Sequence, residues 1–248
     1  SGGREHALAH GLRGERKPSL KRVMGEAAAM FDGAYNIAFL DALGRMFVAR
    51  DPAGIRPMHW AVQGQLFGAA NESVALANAG FEEIHTLEAG QMAIVGDGRL
   101  RIVRYAPVRL KARCFFEWVY FANVASTLDE QSVYLARKAL GEELARLELA
   151  DGSVSLDENT IVVPVPDTSK AAADAMAYRL KLPSLEGLIR NRYSGRTFIE
   201  GGASRKQKAE TKYTPLPEVL RGKRVFLVED SIVRSTTMRV LTERIRKL

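Results

Sequence analysis

The chain has 248 residues, 46% hydrophobic and 26% charged, which is enough apolar matter for one large domain or two ordinary ones. It has no apolar run of the roughly 18 residues that a membrane span requires, and no apolar h-region follows its start, so a cytoplasmic setting without membrane contact is expected. A single cysteine, Cys114, excludes an internal disulfide framework and a cysteine-rich metal site. The apolar context "KARCFFEWVYF" predicts that Cys114 is a buried small hydrophobe rather than a reactive thiol.

Net charge is +7, and the excess is local: nine Lys/Arg stand against three Glu between Arg179 and Lys212. A field of that kind attracts a polyanion, either nucleic acid or a phosphorylated small molecule, or else it is a solvated basic loop.

In chain order, Leu20 to Met30 has helical spacing. The segments "AYNIAFLD", "RMFVARD", "MHWAVQG", "QLFGAA", "QMAIVGD" and "RLRIVRY" then read as short strands. Turn signals at Leu43-Gly44, Gln63-Gly64 and Asp97-Gly98 separate them, and Ser73 to Ala79 forms a short helix with Ser73 at or near its N-cap. Hairpin order with few helices predicts an antiparallel layered part. Pro107 to Leu128 bridges to a second texture. "SVYLARKALGEELARLEL" predicts a long amphipathic helix burying Val133, Leu135, Leu140, Leu144 and Leu147 on one side. "TIVVPVPD" is a strand buried on both faces, and "SKAAADAMAYRLKL" a helix. "SLEGLI" is a further strand. The stretch from Asn191 to Tyr213 is a long loop or flap, "KRVFLVED" a buried strand, and Thr236 opens a helix. Strand–helix alternation predicts a parallel sheet covered by helices.

Ligands of such sheets bind beyond the carboxyl ends of the strands. Two strands end in polar, acid-containing loops that run into helices. In "VFLVEDSIVRSTT", Glu229 and Asp230 converge on one ligand only if Asp230 has left the strand. Two carboxylates there suit a vicinal diol or a hydrated Mg²⁺, and Ser231 to Thr237 with the helix N-terminus suits a terminal phosphate. In "VPVPDTSK", Asp167, Thr168, Ser169 and Lys170 offer a second phosphate site, although "DTS" is also an ordinary N-cap sequence. Solvated strand-end acids and a capping threonine remain the bland alternative for the first loop. Two loops, a basic flap and no nearby nucleophile predict a sugar with phosphate at both ends and displacement of pyrophosphate from C1 of ribose.

The residues also carry a resemblance. "VEDSIVRSTT" resembles the signature of type I phosphoribosyltransferases. "FFEWVYFANVAS", "SVYLARKALGEELA", "VPVPDTS", "EGLIRNRYSGRTFI" and "GKRVFLVEDSIVR" follow the order and spacing of the glutamine phosphoribosylpyrophosphate amidotransferase family. "GAYNIAFL", "DPAGIRPM" and "NESVAL" resemble that family's glutaminase domain, so the likeness covers nearly the whole chain.

The resemblance implies an α/β protein in two parts. Residues 1–115 would be the C-terminal portion of a layered, antiparallel N-terminal-nucleophile glutaminase domain. Residues 116–248 would be a parallel-sheet type I phosphoribosyltransferase domain lacking its C-terminal side. It implies that ammonia from glutamine attacks phosphoribosyl pyrophosphate to give phosphoribosylamine, glutamate and pyrophosphate, opening purine nucleotide synthesis. By position, Glu229, Asp230 and Ser169 would hold Mg²⁺. Glu229, Asp230, Ser231, Ile232, Val233, Arg234, Ser235, Thr236 and Thr237 would hold the ribose and its 5-phosphate. Asp167 to Lys170 would form the pyrophosphate loop. Arg190, Asn191, Arg192, Tyr193, Gly195, Arg196 and Thr197 would belong to a closing flap. Homotetramers, purine nucleotide inhibitors and the absence of iron–sulfur ligands in this chain are further implications.

The departures are specific. The family's "CGIxG" cysteine is not in this sequence, so no residue here is assigned to glutamine hydrolysis. Gly3 stands where the family's "SDxE" has Asp, with Glu5 as its Glu. Glu229 replaces the first Asp of "DDSIVRGTT" and Ser235 its Gly. Arg190 replaces a Lys, and "EGGASRKQ" lacks the flap's "xPxQxxR" pattern. These changes keep a non-catalytic phosphoribosyl-pyrophosphate-binding regulator and a divergent ammonia-dependent transferase as alternatives. A nucleic-acid-binding domain ranks below both, because the basic residues fall in the flap.

Overall fold

A computed structural model describes residues 18–108, 110–191, 212–233 and 235–248. The chain divides into two compact units, one of residues up to Glu117 with Ala125–Ser132, the other of Trp118–Val124 with Val133–Leu248.

The first unit starts with helix α1 (Leu20–Ala28), capped by Ser19, whose hydroxyl accepts from Arg22 N–H. Strands β1 (Asn36–Leu40), β2 (Met46–Arg50), β6 (Gln91–Gly96) and β7 (Arg99–Arg104) form an antiparallel sheet in the order β1-β2-β6-β7. Strands β3 (His59–Gln63), β4 (Leu66–Ala70) and β5 (Ile84–Thr86) form a second sheet, ordered β4-β3-β5. Period-two alternation sorts β2 and β6 between two cores. Phe47, Ala49, Met92 and Ile94 pack with Leu20, Val23, Met24 and Ala27 of α1. Val48 and Ala93, pointing the other way, pack with Met58 and Leu87. The two central strands of this sheet are thus buried on both faces. Asp97-Gly98 joins β6 to β7 with both residues at positive φ, as a primed hairpin turn needs.

Helix α2 (Ser73–Asn78) begins one residue earlier than a Ser73 cap would set it. Glu72 is the N-cap, and the Ser73 hydroxyl accepts from Thr127 N–H at 2.8 Å. Thr127–Leu128 (β8) and Gln131–Ser132 (β9) make a minimal hairpin. Its turn carries Asp129, whose buried carboxylate takes a bidentate contact from Arg50 at 2.8 and 3.1 Å and a second ion pair from Arg113 at 3.0 Å. Cys114 is half-buried, not enclosed as its apolar neighbours suggested.

In the second unit, β10 (Thr160–Pro164) pairs in parallel with β13 (Arg224–Val228), Thr160 opposite Arg224 and Pro164 opposite Val228. Ser184 adds a parallel bridge to Val162. β10 is buried throughout. Ile161, Val163 and Val165 face one core with Leu188, Leu220 and Leu241. Val162 faces another with Ala145, Ala173, Met176 and Ala177. The latter core lies under helices α3 (Val133–Asp151) and α4 (Lys170–Leu180).

The burial of α3 differs from the expectation. Its inward residues are Val133, Arg137, Gly141 and Ala145, while Leu135, Leu140, Leu144 and Leu147 are 59%, 47%, 40% and 51% exposed. Gly141 and Ala145 let the helix lie close on alanine-rich α4, where leucines would hold it off. A Cβ on Gly141 would fall 1.9 Å from the Ala172 carbonyl oxygen. Buried Arg137 donates to the carbonyls of Trp118 and Ala122, both at 2.8 Å.

The ends of the expected flap are an antiparallel pair, β11 (Leu188–Arg190) with β12 (Tyr213–Pro215), so Arg190 and Tyr213 are strand residues. The short helix α5 (Pro217–Leu220) leads to β13, and α6 (Thr236–Ile245) follows it. Among the described residues, no helix is long and apolar enough to cross a membrane.

Candidate functional site

A cavity of about 770 Å³ lies beyond the carboxyl ends of β10 and β13, within the second unit. β13 stops at Val228, so Glu229 and Asp230 are both past the strand and are freed from its alternation. Both line the cavity, with Ser231, Ile232, Val233 and Ser235 from the same loop. Ser235 has φ +56° and ψ 2°, the left-handed conformation, immediately before α6. The opposite wall is Pro166, Asp167 and Thr168, from the loop between β10 and α4, with Arg190. The Pro166–Asp167 peptide is cis.

The two loops are tied together. The Thr168 hydroxyl donates to Asp230 Oδ2, and the Ser231 hydroxyl donates to Asp230 Oδ1 at 2.6 Å. Glu229 Oε1 accepts from the Asp230 backbone N–H at 3.2 Å. Across the mouth, Arg190 donates to Asp167 Oδ2 at 2.8 Å between exposed side chains. Burial, and then the adjacent Asp230 charge, push the Glu229 carboxyl up to about 7, against the opposing pull of Lys212. For Lys212, burial works to lower the pKa, but the Tyr213 hydroxyl and the charges of Tyr213, Tyr120 and Glu229 outweigh it and raise it.

Not every expected residue reaches the cavity. Ser169, expected beside the metal, is buried, and its hydroxyl donates back to the Val165 carbonyl. Lys170 points to Asp174 and Glu186, 3.7 and 3.6 Å away, because those carboxylates flank it on and beyond its own helix. Asn191 N–H donates to the Lys212 carbonyl, extending the β11–β12 ladder. The backbone of Thr236 and Thr237 opens α6. Arg192, Tyr193, Gly195, Arg196, Thr197 and Arg234 lie outside the described residues, as do Gly3 and Glu5.

Sequence reasoning missed Lys212, Tyr213, Met238 and the aromatic pair Tyr120 and Phe121, all of which line the cavity. The sequence places Lys212 and Tyr213 in the loop or flap from Asn191 to Tyr213, with no role at the cavity. Tyr120 and Phe121, with ring centroids 5.3 Å apart, sit in a run whose signal was apolarity alone.

Chemically, the cavity pairs two carboxylates with a hydroxyl-bearing loop and a helix N-terminus, and sets two cationic side chains near them. Among the described residues no cluster of three or more His, Cys, Asp or Glu could hold a metal alone. Two adjacent carboxylates are instead a hard oxygen pair of the kind that holds Mg²⁺ jointly with water and a substrate's phosphates.

No family model matches the chain. It is similar to curated amidophosphoribosyltransferases. That of Methanothermobacter thermautotrophicus is 37% identical over 234 residues, covering 94% of this chain and 48% of the relative. That of Bacillus subtilis is 34% identical over 241 residues, covering 97% and 49%. Among solved structures, the Bacillus subtilis glutamine phosphoribosylpyrophosphate amidotransferase in complex with ADP and GMP superposes with a TM-score of 0.80 at 32% identity, covering 97% of this chain and 51% of that one. An allosteric regulatory enzyme of purine biosynthesis superposes at 0.81 and 33%, covering 97% and 50%. The chain spans about half the length of the curated relatives it matches.

Proposed function

We propose that this chain, which by sequence and fold belongs with the amidophosphoribosyltransferases over the half of their length that it spans, contributes the phosphoribosyl-pyrophosphate site of such an enzyme. The observation that carries the reading is the acid pair just past a parallel strand, sharing one cavity with a hydroxyl-rich loop, a helix N-terminus and basic residues.

In this reading the ribose hydroxyls lie against Glu229 and Asp230. The 5-phosphate takes the backbone N–H groups between Ser231 and Thr237 and the positive end of α6. The diphosphate at C1 lies toward Asp167, Thr168 and Arg190. The residues from Arg190 to Thr197 belong to the closing flap. The nitrogen of ammonia forms a bond to C1 as the C1–oxygen bond to pyrophosphate breaks; pyrophosphate leaves with the electron pair, and the nitrogen sheds a proton. No side chain need form a covalent intermediate, so the chain's part is orientation, charge placement and exclusion of water. Tyr120 and Phe121 supply an apolar wall for the last of these. Glu229 and Asp230 fit Mg²⁺, which when bound would neutralise charge on the diphosphate; the Ser169 hydroxyl is engaged with Val165.

The finer organisation follows the same reading. Residues 1–115 correspond to the later part of a glutaminase domain and residues 116–248 to a type I phosphoribosyltransferase domain. Glutamine or ammonia is the nitrogen donor, purine nucleotides are the inhibitors, the assembly is a homotetramer, and the setting is the cytoplasm.

The test is pyrophosphate release from phosphoribosyl pyrophosphate by the full-length protein with Mg²⁺ and either glutamine or ammonia. Release with at least one donor, lost in a Glu229→Ala/Asp230→Ala double variant, is the expected outcome. No release with either donor from folded protein refutes the reading, and an active double variant refutes the site.

A further inference from the structure

Thr168 and Ser169 both stand where a helix-capping hydroxyl is expected, yet neither caps α4. Ser169 occupies the N-cap position without a side-chain cap bond, and its hydroxyl turns back to Val165. Thr168 reaches across 62 positions of sequence to Asp230 Oδ2. Capping would serve the helix, whereas this bond serves a carboxylate on the cavity wall. Both oxygens of Asp230 are thereby fixed by hydroxyls, one from its own loop and one from the loop opposite. Among the described residues Glu229 has no such hydroxyl partner, and its Oε1 accepts from the Asp230 backbone N–H. The two acids are therefore held differently, Asp230 rigidly and Glu229 through a longer side chain.

We propose that Thr168 is a positioning residue for the reaction: its hydroxyl sets the carboxylate plane of Asp230 and fixes the spacing between the loop that takes the diphosphate and the loop that takes the ribose. This rests on the phosphoribosyl-pyrophosphate reading of the cavity and assigns Thr168 a role other than phosphate ligand. Its bond spans the ends of β10 and β13, which neighbour each other in the sheet, so it closes the site where the ladder stops. A substrate with phosphate groups at both ends of a ribose needs that spacing set before it binds. A hydrogen bond formed beforehand spares the substrate the cost of ordering the carboxylate.

The experiment uses full-length protein, phosphoribosyl pyrophosphate and ammonia, with pyrophosphate release as readout. Thr168→Val keeps the shape and removes the hydroxyl. A bond to a charged acceptor of this kind predicts a loss of roughly tenfold or more in kcat/KM. Thr168→Ser restores the hydroxyl and is expected within about threefold of wild type. In a double-variant cycle, Asp230→Asn costs less in the Thr168→Val background than in wild type, because the two residues act as one unit. Thr168→Ala replaces Thr168→Val in that cycle if valine does not fold. Wild-type kinetics in the valine variant, equal impairment of valine and serine variants, or additive costs in the cycle would each overturn the inference while leaving the function intact. Absence of release by wild type would overturn the function and the inference with it.

Discussion

Replacing Gly141 by alanine sets two physical effects against each other. Helix propensity alone favours alanine in a helix interior by about 1 kcal/mol. The structure opposes it, since the new Cβ would lie 1.9 Å from the Ala172 carbonyl oxygen and 2.6 Å from its carbon. Those are backbone atoms, so no side-chain rotation relieves the clash. Restoring a C···O approach of about 3.3 Å requires α3 to withdraw from α4 by about 1.4 Å. A gap of that size forfeits a large part of the dispersion contact along the seam, and overpacking of well-filled cores costs about 1–3 kcal/mol. With a rigid obstacle the upper end applies, leaving a net destabilisation of about 2 kcal/mol after the propensity gain. That corresponds to a melting temperature lower by about 4–8 °C for a protein of this size. Urea and thermal unfolding of Gly141→Ala measure it. Because α4 begins at the Thr168–Lys170 loop, kcat/KM for phosphoribosyl pyrophosphate should fall as well. A variant as stable as wild type, or more stable by the propensity increment, would refute the close helix contact.

Other outcomes follow from single features. Glu229 has a folded pKa near 7 against an ordinary 4.5, so between those values the folded state binds more protons than the unfolded one. Stability should fall as pH rises through that window, and Glu229→Gln should flatten this part of the unfolding-versus-pH curve. In the same variant, a rise in kcat/KM between about pH 6 and 7, expected of wild type as the carboxylate ionises, should disappear. Arg50→Met takes the bidentate partner from the buried Asp129 carboxylate, leaving it the ion pair with half-exposed Arg113, and removes the donor to the Arg56, Leu87 and Gly54 carbonyls. Burial works to raise that carboxyl's pKa, while Arg50's hydrogen bond and the charges of Arg50 and Arg113 outweigh it and hold it low. A loss of about 3–5 kcal/mol in unfolding free energy is expected, and a loss below about 1 kcal/mol would contradict a desolvated pair. The Tyr105 hydroxyl donates to the Arg50 carbonyl at 2.7 Å and lies 2.9 Å from the Tyr35 hydroxyl. Tyr105→Phe should cost about 1–2 kcal/mol, read by chemical denaturation.

Much of this was legible in the sequence where the signal is local and repeated. Continuous apolar runs exposed β10 and β13, and Asp97-Gly98 announced its hairpin. The break after Val228 could be inferred from the need of two adjacent acids to converge. The face of α3 was not legible, because hydrophobicity rewards leucine while the contact with α4 demands smallness; Gly141 and Ala145 carry little weight in a periodicity count. β5 escaped as three residues among polar neighbours, stabilised by pairing with β3 rather than by its own pattern. Thr168 reads as a phosphate-loop or capping hydroxyl, and its bond to Asp230 was not legible because that partner is remote in sequence. Lys212, Tyr213, Tyr120 and Phe121 reach the cavity through tertiary placement that no local pattern encodes.

Ser235 holds a further consequence. Resemblance to relatives sets a glycine there, and glycine alone adopts left-handed torsion angles without steric cost. Here a serine has those angles, at about 1–2 kcal/mol for an L-residue. The junction between strand and helix therefore dictates the backbone path, and the residue conforms to it. The direction of the amide groups in the loop is inherited from architecture, and substitution at this position changes what the cavity wall carries without redrawing the wall.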